Sequence, residues 1–483
     1  MISYFFYNSR TWILQRQGTC IAGVIGIITL FGFSTAIGDT STVPSLPASN
    51  IFQSFSLPNN LPFSNSSGFA ATRSTKGFVD LGNEFFQSLG TNGRSCASCH
   101  QPQEGWTITP AGVRLRFLLS SGTDPIFRTN DGSNSPTADV STIKAKRAAY
   151  SMLLTKGLIR IGMKIPANAE FELIAVDDPY NYASGSELSL FRRPLPVANL
   201  KFLSAVMWDG RETLSGQSIH FDLADQANTA TTGHAQGADL SDVQKESIVD
   251  FETALNTAQV YDWSAGWLNA AGAQGGPANI AGQNFYIGIN DLFGDSLTHV
   301  PFNPVVFNLY DAWSGLSGNS TKRARGSVAR GQALFNSKPI AISGVSGIND
   351  EAAFGNPTVV NGTCTTCHDS PNAGNHSVVA PLNIGLTDAS RRTPDMPLYT
   401  LRNKTTGEIV HTTDPGRALI SGLWKHIGRF KGPILRALAT RAPYFHNGFA
   451  ADLNAVVDFY QQRFNIAFTA QEKADLVAFL KTL

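Results

Sequence analysis

The sequence predicts a mainly α-helical chain of two domains with long irregular loops. Three observations carry that prediction. Apolar residues recur at helical spacing from Asp242 to Leu255, from Leu453 to Tyr460 and from about Ala470 to Leu480, with Asp452 placed to cap the second of these. Stretches dense in Gly, Asn and Pro, such as Gly122 to Pro136 and Ala270 to Asn303, read as loops wrapped on helical cores, and strand signals are few. A short internal similarity recurs as well. Leu81-Gly82-Asn83-Glu84-Phe85-Phe86 and Arg330-Gly331-Gln332-Ala333-Leu334-Phe335 each read as a short amphipathic helix that opens a domain.

In chain order, Arg10 and Arg16 precede an apolar run from Cys20 to Phe33, and the small residues Ser34, Thr35 and Ala36 follow. That pattern reads as an export signal over 1–36. The run falls short of the about 20 apolar residues a membrane span needs, so a removed signal is preferred over an N-terminal anchor. Residues 37–65, rich in Ser, Pro and Asn, read as a flexible lead-in. Two domains then follow, 66–320 and 321–483. Apolar residues make up 42% and charged residues 15% of the chain, which suits globular cores. Lys and Arg number 37 against 36 Asp and Glu, so nothing in the charge calls for nucleic acid as a partner.

The five cysteines carry the chemistry. Cys20 lies in the export signal, and the other four form Cys96-Ala97-Ser98-Cys99-His100 and Cys364-Thr365-Thr366-Cys367-His368. In a Cys-x-x-Cys-His motif the thiols add across the vinyl groups of a haem, and the adjacent histidine reaches the iron. One such match also suits a zinc or redox site. Two matches, each with its trailing histidine and with no cysteine left over, point instead to two covalently bound c-type haems. The domains are therefore expected to be cytochrome c-like, each holding one haem.

The surroundings of those motifs resemble the bacterial diheme cytochrome c peroxidase and MauG superfamily. Four stretches carry the resemblance: Leu81 to Pro102; Arg193-Pro194-Leu195-Pro196 through Trp208-Asp209-Gly210-Arg211; Arg330 to His368; and Asp414-Pro415-Gly416-Arg417 through Gly428-Arg429-Phe430-Lys431 and Ala442-Pro443-Tyr444-Phe445-His446-Asn447-Gly448 to Tyr460. The resemblance implies haems facing a shared interface. The N-terminal one would react with hydrogen peroxide, with His100 proximal. The C-terminal one would transfer electrons, with His368 proximal, and Trp208 would relay between them. On its residues alone, Trp208 also reads as a packed aromatic beside an Asp-Gly turn.

A second axial ligand divides the superfamily. Peroxidases place a Met, and MauG-type proteins a Tyr, where this chain has Tyr460, fourteen residues after His446. The alternatives are a core tyrosine at Tyr460 and ligation by Met396. A phenolate favours oxidised iron, whereas a thioether raises the potential. No histidine other than His100 occurs between that residue and Trp208, so the loop histidine that blocks the peroxide haem in the peroxidases has no counterpart there. Gln217 matches the family's distal glutamine, and His220, His234 and Gln226 are candidates for proton handling, His234 foremost. The family's calcium falls at Arg193 and Arg441. Guanidinium groups do not ligate a hard cation, which argues against calcium in that form, although backbone carbonyls remain available.

These readings imply a periplasmic enzyme that reduces hydrogen peroxide, supplied with electrons by a donor cytochrome or other redox protein. A MauG-like oxidation of a protein or organic molecule is the alternative, and a non-catalytic electron-transfer cytochrome is the third. The oligomeric state, a homodimer included, is left open.

Overall fold

The computed structural model describes residues 56–483, so the expected export signal lies outside the described residues, as do 37–55 of the expected lead-in. The remainder of that lead-in forms two short strands, Ser56–Pro58 and Pro62–Asn65.

The fold corrects the expectation of a mainly α chain. Helix accounts for 31% of the residues and strand for 18%, in several small sheets, so the class is mixed α/β. The strands escaped notice because they are short and their partners are remote. Gly68–Ser74 pairs antiparallel with Leu255–Asp262, nearly the length of a domain away in sequence. Phe171–Asp177 pairs with Leu398–Asn403, which in turn pairs with Ile409–Thr412. Ile159–Met163 pairs with Leu188–Arg192, whose residues are all buried and show no alternation. Two-fold periodicity is lost in Leu188–Arg192, so nothing local announces that strand.

The expected long helices are present, and the cap expected at Asp452 is in place. Asp242–Ala254 opens on a capping box between Ser241 and Gln244. Leu453–Arg463 is capped by Asp452, whose carboxylate accepts from the Ala455 amide at 2.9 Å. Ala470–Leu480 opens on Thr469 and Glu472 in the same way. The internal similarity is only half structural. Arg330 to Phe335 lies within the helix Ser320–Ser337, but Leu81 to Phe86 yields one 3₁₀ turn, Glu84–Phe86. There the Asn83 side chain accepts from the Phe85 amide, and the chain turns extended at Gln87.

Two buried clusters flank the cysteine motifs. Phe85, Trp106, Ile248, Phe251 and Leu255 pack against Cys96 and Ala97. Around Cys364 and Cys367 lie Ile340, Ile342, Leu382 and Ile466, with Tyr460 and Phe464 against them. The helices Ser320–Ser337 and Ala470–Leu480 pack on each other through Phe335 and Phe479, and Phe307, Tyr310 and Trp313 complete that core.

Candidate functional site

Each Cys-x-x-Cys-His motif folds into the same tight turn. The His100 amide donates to the Cys96 carbonyl at 3.1 Å, and the His368 amide to the Cys364 carbonyl at 3.2 Å. Each imidazole is then held from behind by a carbonyl six residues on. His100 Nδ1 lies 3.1 Å from the Trp106 carbonyl, and His368 Nδ1 lies 2.6 Å from that of Gly374. Such a bond fixes the proton on Nδ1 and leaves Nε2 as a free donor of electrons. Burial pushes His100 down to about 4 and lowers His368 as well, so both rings are neutral near pH 7. The four thiols are free, and burial raises the pKa of each. Both turns thus fit the covalent attachment and iron ligation of a c-type haem.

A cavity of about 170 Å³ opens beside the first turn, lined by Cys96, Cys99, His100, Trp208, Gln226 and His234. One wall is a stripe of the helix Ile219–Gly233, in which Leu223, Ala227 and Ala230 recur at helical spacing, continued by His234 at the C-cap. One cation on the lining, Lys431, forms no ion pair among the described residues. The Lys431 ammonium has only the Ala205 carbonyl at 2.7 Å, and burial brings it down to about 7. A cation left without a carboxylate suits a ligand that brings its own, as a propionate of haem does.

The predicted proton-handling residues separate. His234 closes the stripe, and its Nδ1 meets Asp131, which also binds Arg94. Burial alone would raise the Asp131 carboxyl, but His234 and Arg94 outweigh it and hold it below the ordinary range. Gln217 does not reach the cavity. It sits exposed in the loop that ends at Ser218, the cap of the helix Ile219–Gly233, while Gln226 further along that helix does line the cavity. His220 is half exposed and pairs with Glu246 at 3.2 Å.

Trp208 joins two of the four resembling stretches, its own and the last. Its Nε1 donates to the Arg193 carbonyl at 2.8 Å, and its own carbonyl accepts from the Lys431 amide at 2.9 Å. Its ring lies 6.1 Å from that of His446, which stacks on Phe430 at 3.9 Å. Next to it, the fully buried Asp209 pairs with Arg192, and Arg192 reaches on to both oxygens of Asp414 at 2.7 and 2.9 Å. Arg417 closes the ring by donating to the carbonyls of Asp209 and Gly210.

At the second turn, Tyr460 packs on the same buried cluster as Cys364 and Cys367. Burial raises its phenol, and its hydroxyl has no hydrogen bond among the described residues. Met396, the competing ligand, is buried elsewhere, among Met152, Leu158 and Phe191.

Three residues of the site were missed in the sequence. Trp106 supplies the carbonyl behind His100, Lys431 faces the cavity, and Glu252 lines it with one oxygen unpartnered. Burial pushes Glu252 up to about 8. A polar residue at a buried position of the helix Asp242–Ala254 was the one available signal.

No family model matches the chain. A cytochrome-c peroxidase of Denitromonas iodatirespirans is 32% identical over 133 residues, which is 25% of this chain and 36% of that protein. One from Pseudomonas sp. (strain SCT) is 29% identical over 140 residues, with the same two shares. The match therefore spans about a third of the length of these relatives. They bear out the resemblance to the diheme cytochrome c peroxidase and MauG superfamily. A solved structure described as a MauG-like protein associated with microbial copper homeostasis aligns over 92% of this chain and 95% of its own, at 17% identity and a TM-score of 0.38.

Proposed function

We propose that the protein is a peroxide-reducing oxidoreductase with two covalently attached c-type haems, electrons passing from the C-terminal one to the N-terminal one. The observation that carries this reading is the pair of matching Cys-x-x-Cys-His turns, the first of them opening on a cavity walled by Trp208 and His234. Cys96, Cys99 and His100 would hold the first haem, and Cys364, Cys367, His368 and Tyr460 the second. When bound, the group supplies the redox chemistry by which one hydrogen peroxide, two electrons and two protons become two waters.

The chain's own residues orient and protonate. The Trp106 and Gly374 carbonyls hold the two proximal imidazoles in the ligating tautomer. With Nδ1 directed at Asp131, His234 is left with Nε2 to hold or pass a proton. Trp208, anchored through both its indole nitrogen and its carbonyl, offers an oxidisable ring with His446 and Phe430 beyond it. Export to the periplasm accords with covalent haem and with the apolar run at 20–33. No helix among the described residues is long and apolar enough to cross a membrane. On mixing the fully reduced holoprotein with one equivalent of hydrogen peroxide, absorbance should report oxidation of both haems. A spectrum that does not change would end this reading.

Tyr460 favours a second reading within the same chemistry, oxidation of a protein or organic substrate. A buried phenol resists ionisation, so its phenolate form depends on a cation beside it, and it then stabilises oxidised iron. Electron paramagnetic resonance of the oxidised holoprotein should show one high-spin and one low-spin haem. Tyr460→Phe should alter only the low-spin signal. An unaltered low-spin signal would reduce Tyr460 to a core residue.

A further inference from the structure

We propose that the guanidinium of Arg193 is a built-in cation filling a cage of backbone carbonyls, and that it positions Trp208 where the resemblance would place a calcium ion. Its Nη1 donates to the carbonyls of Lys156 at 2.8 Å and Gly157 at 3.4 Å. Its Nη2 donates to those of Ile108 at 2.6 Å and Arg441 at 3.2 Å. Four neutral oxygens from three distant segments thus converge on one positive group that is 5% exposed. No carboxylate pairs with it among the described residues. Convergent oxygens of this kind are the donor set of a hard cation, and here the chain supplies the charge itself.

The cage is built to size. Gly157 has φ of +62°, and a Cβ added there would stand 2.4 Å from Arg193 Nη1, so a side chain at 157 and the guanidinium cannot share the space. The same residue ties down the surroundings of Trp208. Its carbonyl accepts from the indole Nε1 at 2.8 Å, and its amide donates to the His446 carbonyl at 2.6 Å. Arg441, the other arginine at this junction, turns its guanidinium away to the Ile434 carbonyl at 2.9 Å and leaves its own carbonyl to Arg193. Arg193 is accordingly a positioning residue, acting on the indole through its backbone while its side chain fixes that backbone.

The peroxide reading bears on this only through the role of Trp208, and the test uses no peroxide, so the two stand or fall separately. Holoprotein freed of metal is titrated with calcium chloride in a calorimeter, and thermal unfolding is followed with calcium or chelator. The wild-type chain should bind no calcium and unfold at the same temperature in both. Arg193→Asn removes the cation and adds a side-chain oxygen to the carbonyls. It should bind one calcium per chain, unfold earlier in chelator, and recover with calcium both its unfolding temperature and the near-ultraviolet dichroism assigned to the indole by comparison with Trp208→Phe. Arg193→Lys, which keeps a positive charge, should stay indifferent to calcium. Recovery of Arg193→Asn as a folded protein in calcium alone would support the proposal. A folded Arg193→Asn that takes no calcium would overturn it, as would a wild-type chain that binds the ion. If Arg193→Asn does not fold in either medium, Arg193→Lys decides: calcium dependence in that variant overturns the proposal, and indifference with wild-type dichroism upholds it.

Discussion

A chain with both Cys96 and Cys99 changed to alanine is expected to carry one covalently attached haem instead of two and to lose its reaction with peroxide. Each cysteine motif is closed on itself by its own backbone bonds and sits in its own apolar shell, one around Phe85 and Trp106 and the other around Ile342 and Tyr460. Loss of one attachment should therefore leave the other intact. The 170 Å³ cavity adjoins only the first motif. Cys364 and Cys367 changed together should likewise give a single haem, but one that still responds to peroxide while turnover with an electron donor stops. Intact-protein mass spectrometry counts the haems, and absorbance after peroxide reads the rest. Two haems on the first variant would defeat the assignment, and so would a peroxide response surviving in it and missing from the second.

Asp209→Asn is expected to cost about 3 kcal/mol of stability, the lower end of what breaking a buried ion pair costs. The lower end applies because Arg192 keeps Asp414, so its charge is not left alone. The carboxylate being lost is fully buried and also accepts from Arg211 at 3.2 Å, and the neutral amide cannot replace either bond in kind. Burial alone would raise the Asp209 carboxyl, but Arg192 and Arg211 hold it at about 2, against 3.8 for an ordinary aspartate. The group is thus depressed in the folded chain, so its contribution is fully present above about pH 4. It is lost as pH falls through 2 and amounts to about 2 kcal/mol. Denaturant unfolding should show the variant weaker near neutral pH, with the gap narrowing in acid. A loss under about 1 kcal/mol at pH 7 would mean that the network is not what joins these segments.

What the sequence disclosed and what it concealed divide by range. Helices at Asp242–Ala254, Leu453–Arg463 and Ala470–Leu480 were legible because their apolar spacing and their caps lie within a few residues of each other. The two Cys-x-x-Cys-His turns were legible because the motif fixes three residues within five consecutive positions. The sheets were not, since a strand such as Leu188–Arg192 is buried on both faces and one such as Gly68–Ser74 closes on Leu255–Asp262, far along the chain. The same limit governed the site. Trp208 and His234, singled out in the sequence, line the cavity, whereas Gln217, placed by counting along the chain, does not, and Gln226 of the helix it precedes lines it instead. Asp131, Glu252 and Lys431 acquire their roles only from neighbours that are distant in sequence.

The strand Phe171–Asp177 lies in a sheet with Leu398–Asn403, and Arg192 joins Asp209 to Asp414 inside the protein. Segments that precede the second cysteine motif are thereby knitted into segments that follow it. A break in the backbone between the two motifs would leave fragments still clasped to each other, as obligate subunits are. Any passage of charge between the two centres would then cross a rigid medium and would not wait on the closing of a hinge.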